Sequence, residues 1–113
     1  MEVKINIERE FERQLRKLAK KYRSIIDDYE TFLDELEKDP YQGVNLGRGV
    51  RKVRMAIASK GKGKSGGARV ITYNLYQEED VIVIDLLTIY DKNEISNISD
   101  AFITYLLNER KNV

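Results

Sequence analysis

The spacing of apolar residues changes several times along the chain, and each change marks a predicted element. Val3, Ile5 and Ile7 alternate with polar residues, which is typical of a short half-buried strand at the edge of a sheet. From Glu8 onward the apolar residues recur every three or four positions with charges between them, which indicates an amphipathic helix. The chain therefore opens with a strand followed by a helix.

A second helix is predicted directly after the first. Ser24 is a candidate N-cap because its hydroxyl can accept a hydrogen bond from the first helical turn. Asp27 and Asp28 suit the positive end of the helix dipole, and the dipeptide Asp39-Pro40 ends the apolar pattern. Almost no loop separates the two helices, so they should form a hairpin whose apolar faces need a sheet to cover them.

A glycine-rich connection over residues 41–49 leads to the next predicted strand. In that strand Val53, Met55 and Ile57 share one face, while the residues between them occupy the other. The loop that follows, KGKGKSGG, is rich in lysine and glycine. Such a loop is typical of a flexible, cationic hairpin tip, which means that the strand should turn back on itself here.

Two further strands and a helix complete the pattern. One strand begins at Arg69, and a turn is predicted over residues 77–80. Residues 81–90 are almost continuously apolar and rich in β-branched side chains, which is typical of a central strand buried on both faces. Ser99 is a candidate N-cap for the last helix, with Ile98 available as a hydrophobic staple.

The order of the predicted elements indicates the fold class. Strand, helix, helix, strand, strand, strand and helix fit a single α+β domain over residues 1–113. We expect a small sandwich in which an antiparallel-rich sheet packs on the N-terminal helical hairpin, with a C-terminal helix. A chain of this size can bury a modest core without disulfides or metals.

Composition excludes several kinds of chemistry. The sequence contains no Cys and no His, so thiol chemistry, disulfides and histidine general bases are excluded. No cluster of Asp and Glu has the spacing of metal ligands, and we predict no metal site and no cofactor. The N-terminus is charged from its second residue and lacks the apolar region of a signal peptide. A cytoplasmic protein without a membrane segment is therefore expected.

Charge is distributed very unevenly along the chain. The formal net charge is only +1, but residues 41–76 hold 8 basic residues and no acidic one. Residues 1–40 hold 9 basic and 11 acidic residues, and residues 77–113 hold 3 and 8. A strongly positive region on an otherwise acidic protein favours a localised site for a polyanion.

The basic segment predicts a site for a nucleic-acid backbone. Lys52 and Arg54 share a strand face, and Arg69 begins the partner strand, so a modest shift of register would let all three converge on one phosphate. Glycines in the neighbouring loop let backbone amides approach a phosphate closely. The residues predicted to bind RNA are Arg48, Arg51, Lys52, Lys60 and Lys62.

Two residues beyond the hairpin suggest catalysis as well as binding. Tyr90 and Lys92 lie where the buried strand emerges into solvent. RNA carries its own nucleophile, the 2′-hydroxyl, so a metal-free ribonuclease needs alignment, charge stabilisation and proton transfer. Without His, proton transfer must fall to Lys, Tyr or a carboxylate. The candidate catalytic residues are Arg54, Lys64, Arg69, Tyr90 and Lys92.

Residues 58–65 also satisfy a relaxed phosphate-loop pattern, in which Ala replaces the first Gly. A true phosphate loop opens a helix whose N-terminus faces the phosphates. Here the sequence ARVITYNLY follows, and it predicts a strand. Nucleotide hydrolysis by such a loop is therefore rejected.

The succession GVRKVRMAIASKGKGKSGGARVITY, a turn and then LLTIYDKNEIS resembles the RelE/ParE superfamily of bacterial toxins, and most closely its HigB-like, RelE-type branch. The resemblance is strong over residues 48–98. It implies a ribosome-dependent messenger-RNA endonuclease that cuts in the ribosomal A site. It also implies a cognate antitoxin of the helix-turn-helix type, through which the complex would bind operator DNA.

The resemblance also implies roles for individual residues. Lys52 and Arg54 match the basic pair on the family's first hairpin strand, Arg69 matches the Arg that opens the next strand, and Lys92 lies near the basic residue after the last strand. These groups would bind the scissile phosphate, and Arg69 would contribute charge without filling core volume. In some relatives a C-terminal Tyr or His is the base. The C-terminal segment of this chain offers Ile98, Ser99 and the distant Tyr105 instead. Tyr90 or Lys64 therefore remain as candidates for the general base.

Two other functions are compatible with the sequence. A non-catalytic toxin of the same fold could act by protein contact, as ParE-type members do on DNA gyrase, but it would have no need for the phosphate-facing set. A plain RNA-binding module would need the charge alone. A lysine-glycine run can also be nothing more than a solvated loop.

Overall fold

Over the residues that the structure describes, the chain has an α+β fold built from a five-stranded mixed sheet and three helices. The computed structural model describes residues 1–111, apart from the side chains of residues 76 and 77. A 3₁₀ turn, Ala58–Lys60, lies between the third and fourth strands. The elements are β1 (Glu2–Ile7), α1 (Arg9–Lys21), α2 (Ile25–Lys38), β2 (Val44–Gly47), β3 (Val50–Met55), β4 (Ala68–Glu78), β5 (Val81–Asp91) and α3 (Asp100–Asn108).

The strands follow the order β1-β5-β4-β3-β2 across the sheet. β1 pairs in parallel with β5, and every other neighbouring pair is antiparallel. β1 therefore lies at an edge, as predicted. Ten of the eleven residues of β5 are buried, which confirms that this strand is covered on both faces.

Each face of the sheet packs against helices. The hairpin of α1 and α2 covers one face through a core that includes Phe11, Ile25 and Phe32. The second face is covered by α3, whose Ile103 and Leu106 pack on apolar residues of β3, β4 and β5. The predicted sandwich is thus confirmed at the level of the helical hairpin, the sheet and the C-terminal helix.

The structure corrects the predicted connection over residues 41–49. Part of it forms β2, which pairs antiparallel with β3 and extends the sheet by one strand. Gly43, just before β2, has φ of +95°, and a Cβ atom at this position would lie 2.5 Å from the carbonyl oxygen of Lys52. The glycine therefore permits close approach to β3, where the sequence pattern predicted only a loop.

The turn predicted over residues 77–80 is shorter in the structure. β4 continues to Glu78 and β5 begins at Val81. Of the four predicted turn residues, only Glu79 and Asp80 lie outside the strands. Hairpin pairing between β4 and β5, with Glu78 opposite Val81, extends both strands into this polar sequence.

The two serines predicted as N-caps behave differently. The Ser99 hydroxyl accepts a hydrogen bond from the N–H of Phe102 at 3.1 Å, which confirms the cap of α3. Ser24 makes no side-chain cap and instead donates to Asp28 Oδ2 at 2.7 Å. No helix within residues 1–111 is long and apolar enough to cross a membrane.

Candidate functional site

A row of polar side chains crosses three strands on the face that carries α3. Arg54 of β3 lies directly opposite Arg69 of β4, and Arg69 lies opposite Tyr90 of β5. Lys52 precedes Arg54 by two residues, so the alternation of the strand places it on the same face. No shift of register is needed to bring these residues together.

These side chains line a cavity of about 530 Å³, which we call the basic pocket. It contains all five residues predicted to be catalytic and one of those predicted to bind RNA. Among the described residues, no Asp or Glu lines it, and the remaining lining residues are uncharged. The charged and phenolic residues are Lys52, Arg54, Lys64, Arg69, Tyr90 and Lys92.

Arg69 is more deeply held than the sequence indicates. The residue is only 8% exposed. Its guanidinium donates hydrogen bonds to the carbonyl oxygens of Lys64, Ser65 and Ala68 at 3.1–3.2 Å. Burial and the nearby Arg54 lower the pKa of Arg69, but an arginine remains charged in proteins. The expectation that Arg69 contributes charge alone is wrong, because it also holds the loop that precedes β4.

Tyr90 lines the basic pocket and is 7% exposed. Burial raises the pKa of Tyr90, and the positive charge of Arg69 offsets only part of that increase. The phenol is therefore protonated at neutral pH. A protonated phenol can donate a proton or a hydrogen bond, which favours an acid at this position over a general base.

Lys60 does not lie in the solvated loop that the sequence predicts. Its side chain is 7% exposed and its ammonium lies 2.8 Å from Oδ1 of Asp91, which is itself 1% exposed. The ammonium also lies 5.6 Å from the centre of the Tyr22 ring. Lys60 is thus part of a buried ion pair, and this removes it from the set of residues able to meet RNA.

Asp91 is the centre of a buried cluster that sequence analysis missed. Besides the ion pair with Lys60, its carboxylate accepts hydrogen bonds from the Tyr22 hydroxyl and from the N–H of Asn93. Burial alone would raise the pKa of Asp91, but these hydrogen bonds outweigh it and lower the pKa to about 2. Because Asp91 lies between Tyr90 and Lys92 in the chain, the cluster fixes the strand end that supplies both to the basic pocket.

The other predicted RNA-binding residues lie outside the basic pocket. Arg48 donates to the Thr104 hydroxyl at 2.8 Å. Arg51 occupies the opposite face of β3 from Arg54, with its guanidinium 5.8 Å from the centre of the Tyr41 ring. Lys62 is exposed in the loop before β4. Only Lys52 of the five is placed beside the candidate catalytic residues.

Lys64 joins the basic pocket to the helical hairpin. Its ammonium lies 2.9 Å from Oε2 of Glu35 in α2, in an ion pair whose side chains are 51% and 39% exposed. An ion pair so exposed contributes little stability. The side chain of Lys64 can therefore exchange Glu35 for a bound anion at little cost.

Within residues 1–111, no group of three or more His, Cys, Asp or Glu side chains could hold a metal ion. The residues that follow the relaxed phosphate-loop pattern form the strand β4 and not an α-helix, in agreement with its rejection. A comparison of the chain with models of known protein families gives no match.

Proposed function

We propose that this protein is the toxin of a toxin–antitoxin pair, with a RelE-like fold, and that it cuts messenger RNA in the A site of the translating ribosome. The resemblance to RelE-type toxins motivates the proposal. The observation that carries it is the basic pocket, in which five cationic side chains and Tyr90 converge without a lining carboxylate.

Such a pocket suits the transition state of RNA cleavage. Attack of the 2′-hydroxyl on the adjacent phosphate forms a phosphorane with additional negative charge, and fixed cations stabilise that charge most strongly where water is excluded. Arg54 and Arg69 offer planar guanidinium groups that match phosphate oxygens. Arg69 is already oriented by three backbone carbonyls, so little reorganisation is needed when substrate binds.

Proton transfer in this mechanism has two steps. The 2′-oxygen forms a bond to phosphorus and loses its proton to a base, and the bond from phosphorus to the 5′-oxygen breaks. We assign Tyr90 as the acid that protonates the leaving 5′-oxygen, since burial raises the pKa of Tyr90. The base that accepts the 2′-hydroxyl proton is left unassigned, because Lys64, the remaining predicted candidate, is present as an ammonium paired with Glu35.

Replacing Tyr90 with phenylalanine is expected to lower the rate of cleavage about 100-fold, because the substitution removes the donated proton and keeps the ring. Single-turnover cleavage on programmed ribosomes measures the effect. Tyr105→Phe is the matched control, since Tyr105 is 54% exposed in α3 and does not line the basic pocket. Equal rates for the two variants would show that Tyr90 only packs.

The proposed function is tested with purified components. A defined transcript is incubated with the protein in the presence and in the absence of ribosomes, and the 5′ ends of the products are mapped. We expect cuts within codons only when ribosomes are present. Intact transcripts in both reactions would overturn the proposal. Inhibition of DNA gyrase in a supercoiling assay would then indicate the ParE-type alternative, and transcript binding without cleavage would indicate an RNA-binding module.

The proposal includes a partner and a compartment. The partner is a cognate antitoxin of the helix-turn-helix type, through which operator DNA is bound, and the compartment is the cytoplasm because the substrate is the translating ribosome. A neighbouring reading frame that encodes a small helix-turn-helix protein would support the pairing. Because phosphate contacts release counterions, affinity for ribosomes should also fall steeply with salt.

A further inference from the structure

One cation of the basic pocket is already paired with a carboxylate. Of the five cationic side chains that line the pocket, Lys64 alone forms an ion pair among the residues that the structure describes. Its partner, Glu35, lies in α2 and does not line the pocket. The side chain of Lys64 therefore borders two regions of negative or positive charge, the Glu35 carboxylate on one side and the other four cations on the other.

The backbone of Lys64 is held in place, whereas its side chain is not. The Lys64 carbonyl oxygen accepts hydrogen bonds from the Arg69 guanidinium at 3.2 Å and from the N–H of Gly67 at 3.3 Å. The next carbonyl, that of Ser65, accepts from Arg69 at 3.1 Å. The side chain of Lys64 is 51% exposed and is bonded to Glu35. A change of partner therefore requires rotation of one exposed side chain, which is fast, and no movement of the loop.

The loop that carries Lys64 is also attached to the start of α2. The N–H of Ala58 donates to Asp28 Oδ2 at 3.0 Å, and the N–H of Ser59 donates to the Ser24 hydroxyl at 2.9 Å. These hydrogen bonds keep the loop beside the helix that contains Glu35. The carboxylate therefore stays within reach of Lys64 whether or not the basic pocket holds a ligand.

The charge inside the basic pocket decides which partner the Lys64 ammonium prefers. In the free protein the other four cations repel the ammonium, and Glu35 offers it a negative charge outside the pocket. A bound phosphate neutralises part of that positive charge and offers a negative charge inside the pocket. Because the pair with Glu35 is exposed and weak, the ammonium can then leave the carboxylate.

We propose that Glu35 competes with the substrate for Lys64, and that it thereby lowers the affinity of the basic pocket for RNA. The inference rests on the proposed function, since it takes an RNA phosphate as the anion that enters. Glu35 is a positioning residue, because it contacts Lys64 and not the substrate. Removal of its carboxylate should strengthen RNA binding, whereas damage to a residue that only supports the fold would weaken it.

Replacing Glu35 with glutamine is expected to tighten RNA binding about two- to fivefold, a range set by the small energy of an exposed ion pair. The probe is a short fluorescein-labelled oligonucleotide with a 2′-O-methyl group on every sugar. It keeps the phosphates and lacks the attacking hydroxyl, so it binds without being cut. Fluorescence anisotropy measures the affinity, and the gain should be smaller at higher salt because salt weakens the exposed pair.

Two controls separate the ion pair from the change in net charge. Glu37→Gln makes the same change two residues away in α2, at an exposed side chain without a hydrogen bond or ion pair in the described part of the chain. It should change the affinity by less than about 1.5-fold at physiological ionic strength. In a Lys64→Gln background, Glu35→Gln should add nothing, since its effect acts through Lys64.

NMR of the wild-type protein observes the exchange of partners directly. The side-chain ¹³Cδ signal of Glu35 should move as the oligonucleotide is added, because the carboxylate loses its ammonium partner. The corresponding signal of Glu37 should stay in place. A Glu35 signal that does not respond to bound oligonucleotide would show that Lys64 keeps its partner, and the inference would fail.

The outcomes distinguish this inference from the proposed function. Equal gains in affinity for Glu35→Gln and Glu37→Gln, or no gain in either, would overturn the competition for Lys64 and leave the phosphate site standing. A wild-type protein that does not bind the oligonucleotide would overturn the phosphate site, and with it the inference. Tighter binding by Glu35→Gln, together with intact transcripts in the ribosome assay, would overturn the proposed cleavage and leave the role of Glu35 in place.

Discussion

Replacing Arg54 with glutamine is expected to lower the rate of ribosome-dependent cleavage by about 10²–10³-fold, the usual effect of removing one group that stabilises transition-state charge. Arg54 is exposed within the basic pocket, and its side chain makes no hydrogen bond or ion pair with other residues in the described part of the chain. Its loss should therefore leave the free energy of unfolding nearly unchanged. Single-turnover rates and denaturant unfolding measure the two quantities.

Arg51→Gln is a closely matched control for this substitution. Arg51 lies in the same strand and loses the same charge, but its side chain is on the other face of the sheet. A similar loss of cleavage in both variants would mean that the rate depends on net charge alone and not on the position of Arg54 in the basic pocket. Arg69 is less suitable for this experiment, since its removal would also release the carbonyls of residues 64, 65 and 68.

Replacing Asp91 with asparagine is expected to lower the free energy of unfolding by about 3–5 kcal/mol, because the change leaves the Lys60 ammonium buried without its counter-charge. Glu94→Gln provides the contrast three residues away. Glu94 pairs with Lys21, and both side chains are 54% exposed. Loss of such an exposed pair should cost at most about 1 kcal/mol. Equal costs in urea unfolding would contradict the structural role of Asp91.

The same ion pair predicts how stability depends on pH. The folded protein lowers the pKa of Asp91 from 3.8 to about 2. The carboxylate therefore stabilises the fold above pH 3.8, and this contribution is lost progressively as pH falls from 3.8 toward 2. In the Asp91→Asn variant that loss should be absent from the acid unfolding curve, since no proton can bind at this position.

Elements with strong local patterns could be predicted from the sequence. The apolar run of β5 and the hydroxyl of Ser99 each specify their own structure over a few residues. β2 could not be predicted, because Gly43 and Gly47 are typical of loops and the strand forms only through pairing with β3. The place of a strand at the sheet edge depends on its partner as much as on its own residues.

The candidate site shows the same division. The alternation of side chains along a strand can be read from the sequence, and it places Lys52 and Arg54 on one face. The register that sets Arg54 opposite Arg69, and Arg69 opposite Tyr90, comes from pairing between strands. The burial of Lys60 could not be predicted in this way, because its partner Asp91 is 31 residues away and the local sequence shows only a lysine among glycines. One signal was present: Asp91 is an acidic residue that closes an otherwise apolar strand, and a buried carboxylate requires a partner.

Parallel pairing of β1 with β5 has a consequence for synthesis of the chain. Residues 2–7 pair with residues 81–86, so β1 has no neighbour until β5 has left the ribosome. At about 5–20 residues per second, that delay is about 4–15 seconds. Tyr90 and Lys92 emerge later still. A nascent chain therefore carries no assembled basic pocket until residues 81–92 have left the ribosome.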